Sequence, residues 1–378
     1  MCMDDNGPSV PQNNSGPETT PPPMPEPIAN KSSHRKWWIV GGVVLLAAIV
    51  VSGVLALTRK ASAPAVASTS SNHQTTTATS TPKVQGLQLD TSKDYGNKYA
   101  DGVLPVGDGK YVTTGAQQGY VYTCSNYARN LATDKGGAMT RGPWFSSDGK
   151  TWNITKKINV SGVVYWPGSM TDTVSGNTRT IVSNDLPLKD PTGTFPIQSS
   201  DPAYQYDRNP NTIAAQSYTY ALPANPTYGP PSCIGGQVGV MTTGVALFSA
   251  FDAGGRDAGA WEVQDGCQGH PQGQGEYHYH TLSSCIKNRS VHDVIGFALD
   301  GFPITGPDVG TNNVLTTDDL DECHGIVSQI DLDGKSVTMY HYVMTEDFPY
   351  SVSCYRGTAI TPPALPAGAG SQGGQPQP

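Results

Sequence analysis

Val294-Ile295-Gly296-Phe297-Ala298-Leu299-Asp300-Gly301-Phe302-Pro303 is the stretch from which the fold class follows. An apolar run with β-branched and aromatic members stops at Asp-Gly, a pair suited to tight reversal, and resumes on an apolar Phe-Pro plug. Short and bounded by turn residues, the run reads as a strand, and Asp300 to Pro303 reads as scaffold. Asp300 is at most a partner for the outer N–H of a ligating imidazole. The same grammar recurs at Tyr120-Val121-Tyr122, Val163-Val164-Tyr165-Trp166 and Val238-Gly239-Val240, punctuated by Asp108-Gly109, Asp148-Gly149 and Asp333-Gly334. No long amphipathic periodicity competes, so the expectation is a mainly β, antiparallel, β-sandwich-like domain.

Around that domain the chain is low in charge (14%) and rich in Gly (43) and Pro (31), so much of its 378-residue length goes to turns and tails. A net charge of −8, without any basic stripe interleaved with aromatics, argues against nucleic acid as a partner. Residues 1–36 are polar and proline-rich and read as a disordered cytoplasmic tail. Trp37 to Leu57 carries no charge and, at 1.5 Å rise per residue, is long enough to cross a roughly 30 Å hydrocarbon core, so it reads as a single transmembrane helix. Lys31, Arg35 and Lys36 before it, against Arg59 and Lys60 after it, favour a cytoplasmic N-terminus. The competing reading is a cleaved signal peptide, for which Ala61-Ser62-Ala63 is a suitable site, but the apolar run exceeds the ~7–15 residues of a signal core. Residues 58–85 form a flexible linker, 86–160 the first part of the ectodomain, and 358–378 a second disordered tail. The membrane is the expected partner, through this anchor; any surface ligand is unidentified.

Six of the seven cysteines follow the apolar run, an even number without a zinc-type CxxC, as an oxidising compartment favours. Cys267 and Cys285 bracket one Tyr-His-Tyr and Cys323 and Cys354 bracket another, so 267–285, 323–354 and 124–233 make one economical scheme among 15. Cys2, on the other side, is expected to stay a thiol.

Six of the eight histidines fall between His270 and His341. If Tyr277-His278-Tyr279-His280 is a strand, His278 and His280 share one face with Cα atoms roughly 6.5–7 Å apart, and the tyrosines share the other. Two imidazoles so placed can converge on one transition metal, zinc or copper, with further ligands from His270, His324 or His341. Tyr340-His341-Tyr342 repeats the theme and suggests that a facing strand carries His341 toward the pair. The bland alternative is a polar core in which each imidazole is satisfied by the backbone.

Gly269-His270-Pro271, Tyr277-His278-Tyr279-His280, Ile295 to Ile304, Leu320-Asp321-Glu322-Cys323-His324-Gly325 and Phe348-Pro349-Tyr350 together resemble the YHYH-domain family. The resemblance runs over about 161–357. It implies a secreted or anchored protein but no reaction, and a histidine shortly after the proline matching Pro187, where this chain reads Leu188-Lys189-Asp190.

Three functions follow: a metal-binding extracytoplasmic module, a metal-dependent hydrolase or copper oxidoreductase at the cell surface, or a metal-free structural or adhesion domain. For catalysis the sequence offers carboxylates at Glu276, Asp300, Asp321, Glu322, Glu346 and Asp347 but no nucleophile elbow, phosphate loop or HExxH helix. No catalytic residue is assigned.

Overall fold

A computed structural model describes residues 84–124, 126–127 and 139–364. The tail 1–36, the apolar run Trp37 to Leu57, Cys2 and most of the linker lie outside the described residues. Among the described residues no helix is long and apolar enough to cross a membrane.

The fold is mainly β, as the strand-and-turn grammar requires. Helix among the described residues is confined to the turn Ala258–Trp261 and three 3-10 turns. The first part carries two small pairs, β1 (Val103–Pro105) with β4 (Thr151–Asn153), and β2 (Tyr111–Val112) with β3 (Val121–Tyr122). β5 (Met170–Ser175), β6 (Thr178–Ser183) and β7 (Tyr218–Pro223) form an antiparallel three-stranded sheet. Its period-two logic is plain in β7, where Tyr218, Tyr220 and Leu222 are buried and Thr219 and Ala221 exposed.

The principal sheet has eight strands: β8 (Gln237–Met241), β9 (Ala246–Phe248), β10 (Gly269–Pro271), β11 (Tyr277–Tyr279), β12 (Val294–Ala298), β13 (Pro303–Thr305), β16 (Gly325–Leu332) and β17 (Lys335–Val343). The short pair β14 (Asp308–Gly310) and β15 (Asn313–Val314) hangs between β13 and β16. Spatial order is β10-β11-β9-β8-β12-β13-β17-β16. The antiparallel sandwich expected from the turns gives way here to a mixed sheet: β11–β9 and β13–β17 run parallel and the other junctions antiparallel. Parallel junctions need long crossovers, and the segments between β9 and β11 and between β13 and β17 supply them. Central β8 is buried along its whole length, which explains its continuous apolar reading.

The order conceals an internal repeat. β8-β9-β10-β11 and β12-β13-β16-β17 have the same connectivity and the same pairing senses, and they meet through the antiparallel β8–β12 junction, centred on Val240 opposite Phe297. Gly239 and Gly244 recur as Gly296 and Gly301, the second of each pair at positive φ (+87° and +88°) in the turn. Tyr279 pairs with Leu247 as Tyr342 pairs with Ile304. Each outer hairpin begins with an aspartate whose Oδ1 accepts backbone N–H groups two and four residues on: Asp265 from Cys267 and Gly269, Asp321 from Cys323 and Gly325.

The bridges are 124–233, 267–285 and 323–354. Two staple the outer hairpins and the third ties the early segment to the large sheet. Leu104, Trp144 and Trp152 of that segment pack into the same core as Val240, Tyr279 and Ile304.

Candidate metal centre

Adjacent outer strands build the site. Antiparallel register sets His270 of β10 directly opposite His278 of β11, and His280 follows on the same face of the chain. His270 Nε2 lies 3.1 Å from His278 Nε2, and His278 Nε2 lies 3.1 Å from His280 Nε2. One ligand atom from each ring falls within 4.8 Å of the others, and all three side chains are buried. Phe248 covers the rim, its ring centroid 4.3 Å from that of His278. The tyrosines point the other way: Tyr277 Oη donates to Asp265 Oδ2 (2.8 Å).

Protons can be placed from the acceptors. His280 Nδ1 sits 2.6 Å from the Ser249 carbonyl and His278 Nδ1 3.3 Å from the Glu276 carbonyl, so each Nδ1 carries the hydrogen and each neutral ring turns a bare Nε2 inward. Two bare lone pairs at 3.1 Å repel unless a proton or a metal cation lies between them. Burial, reinforced by the neighbouring imidazoles, holds His270 and His278 well below the usual histidine range, and burial lowers His280 to about 4. The arrangement therefore resists a proton and suits a metal cation. Nδ1 of His270 meets no hydrogen-bond partner, a cost carried in the core.

Glu262, which follows the helical turn, places Oε2 3.3 Å from His270 Nε2 and 3.2 Å from His280 Nε2. Sequence reading missed it, because a carboxylate eight residues before His270 joins the site only through the Ala258–Trp261 turn; no local spacing advertises it.

The other two histidines are elsewhere. Four strands separate β11 from β17, which at roughly 4.8 Å per junction is about 24 Å. His341 faces Ile326 across the hairpin where His278 faces His270. Its Nδ1 lies 2.9 Å from Thr305 Oγ1 and its Nε2 2.8 Å from Ser328 Oγ. His324, at positive φ (70°), meets Thr345 Oγ1 at 3.0 Å. Burial lowers both to about 3. These two sit in the satisfied polar core that the bland reading describes.

The candidate carboxylates are equally engaged. Asp300 accepts from Tyr342 Oη (2.6 Å) and the Gly357 N–H, not from an imidazole. Asp321 and Glu322 pair with Arg356, Glu346 with Arg289, and Glu276 accepts from Tyr218 Oη. Asp347 faces the Thr317 N–H.

Fold and cluster together define a class: a disulfide-bonded, mainly β domain with a buried three-histidine cluster across two adjacent strands. Residues 219–314 match the family model of YHYH proteins, so this C-terminal region carries a YHYH domain. The match spans β7 to β15, the whole first arm of the repeat and the opening hairpin of the second. No curated protein and no solved structure matches the chain.

Proposed function

We propose that the YHYH region is a metal-binding module displayed outside the cytoplasm, holding one transition ion, zinc or copper, on His270, His278 and His280. The observation that carries this reading is the convergence of the three Nε2 atoms, at least two of them bare, in a buried site. Neutral imidazoles are ordinary ligands for both metals, and the carbonyls of Ser249 and Glu276 hold two rings in the ligating tautomer. Three disulfides and the apolar run Trp37 to Leu57 support a location beyond the membrane, with that run as the single anchor. Two cavities, about 510 Å³ beside Tyr228, Asp321 and Arg356 and about 370 Å³ beside Tyr99, Trp152 and Arg289, are not lined by the triad.

Elemental analysis of the full chain is the test: one equivalent of metal, lost in the double variant His278→Ala/His280→Ala, is expected. Equal, sub-stoichiometric metal in both proteins removes the reading. Protease added to intact cells checks the location, with shaving of the domain expected and full protection counting against it.

A further inference from the structure

Glu262 Oε2 has no hydrogen-bond partner although two histidine nitrogens lie 3.2 and 3.3 Å away. The atom is shut off from solvent, while the side chain as a whole keeps 15% exposure. An acceptor at contact distance but off the hydrogen-bond line is placed as one of several ligands around a common point. The sides His270–His278, His278–His280, His280–Glu262 and Glu262–His270 measure 3.1, 3.1, 3.2 and 3.3 Å. Four ligands at roughly 2.0–2.1 Å from one ion have neighbouring atoms about 2.8–3.4 Å apart, from square-planar to tetrahedral arrangement. All four sides fall in that range; only the three histidine atoms lie within 4.8 Å of one another, so Glu262 sits on the His270–His280 edge and must draw toward His278 to complete the shell.

We propose that Glu262 is a fourth ligand and that it closes the coordination shell, leaving no position for water or substrate. The inference rests on the metal reading above and extends it, by making the centre a closed three-nitrogen, one-oxygen site. The backbone delivers the carboxylate firmly. Glu262 N–H donates to the Ala258 carbonyl (3.1 Å), and the next residue, Val263, donates to Asp207 Oδ2 (3.0 Å). Lys157 Nζ fixes the same turn through the Gly259 carbonyl (2.5 Å) and Gln264 Oε1 (2.6 Å). Charge argues the same way, since a dication among three neutral rings stays doubly charged in the interior, and one carboxylate halves that burden.

The full chain loaded with cobalt(II), with azide as the probe for an open position, separates the outcomes. The unmutated protein should give a four-coordinate spectrum that azide leaves unchanged. Glu262→Gln, which keeps the shape, and Glu262→Ala should each bind zinc more weakly, by at least the ~10–100-fold typical of losing an outer partner, and their cobalt spectra should shift with azide. Circular dichroism of the metal-free variants distinguishes lost ligation from lost folding, and the Gln variant is expected to fold. Unchanged zinc affinity in Glu262→Gln, or an azide-sensitive unmutated protein, overturns the fourth ligand and leaves the three-histidine centre standing. An unmutated chain that takes up no metal overturns both.

Discussion

His278 and His341 occupy corresponding places in the two arms of the sheet and have opposite surroundings. His341 has hydroxyl partners at both ring nitrogens, whereas His278 turns its Nε2 to two other imidazoles. Acid should expose the difference. His341 is held near 3 when folded and titrates near 6.5 when unfolded, so between those values the unfolded chain binds the extra proton. Its contribution is complete above about pH 6.5 and is lost as pH falls toward 3, at up to about 1.4 kcal/mol per pH unit. Asp257, raised to about 6 by burial, works in reverse, since the folded chain takes up its proton first as pH falls from 6 toward the ordinary aspartate value. In His341→Gln the pH slope of the urea-unfolding free energy between 6.5 and 3 should be shallower than in the unmutated protein; an identical slope would show that His341 is not a buried neutral base. For the triad the sensitive quantity is metal. Zinc at a hundredfold excess over Kd should stabilise the unmutated chain by about 2.7 kcal/mol, and His280→Ala should lose that gain in thermal unfolding.

At the scale of the element, the two hairpins share one packing device. A Cβ on Gly269 would meet Tyr277 Cζ at 2.2 Å, and one on Gly325 would meet Tyr340 Oη at 2.1 Å. The missing side chain lets each tyrosine lie across the neighbouring strand and reach its aspartate, Asp265 at 2.8 Å and Asp321 at 3.1 Å. Gly269→Ala and Gly325→Ala should each cost about 1–3 kcal/mol by overpacking. Only Gly269→Ala should also weaken metal binding, because it displaces the strand that carries His270. Comparable loss of metal in both variants would mean that general loosening, not the β10–β11 register, controls the centre.

Across the whole molecule, the bridges differ in the length of chain they close. Cys124–Cys233 spans 109 residues and Cys267–Cys285 spans 18. In the chain-entropy description these correspond to about 4.8 and about 3.2 kcal/mol. Replacing the first pair by serines should therefore lower stability by about 1.6 kcal/mol more than replacing the second, as read by chemical denaturation. The reverse ranking would indicate that the hairpin staple acts through native packing of the histidine cluster. In the intact protein all six bridged cysteines should resist alkylation until reduced.

Local pattern was enough for the strand-rich class, the Asp300-Gly301 reversal and the opposed faces of Tyr277-His278-Tyr279, since each depends on period-two alternation or turn chemistry; bracketing made the observed cysteine pairing one economical scheme among 15 and did not select it. The recurrence of Gly239 and Gly244 as Gly296 and Gly301 is also present in the sequence, but the repeat it marks rests on the strand pairing. The location of His341 was not legible. Tyr-His-Tyr looks the same in both arms, and only sheet order sets them four strands apart, with Ile326 standing where the first arm has His270. Glu262 was equally hidden. Which carboxylate meets an imidazole is decided by where the crossover from β9 sets the Ala258–Trp261 turn against β10 and β11, a tertiary placement that no spacing in the chain records.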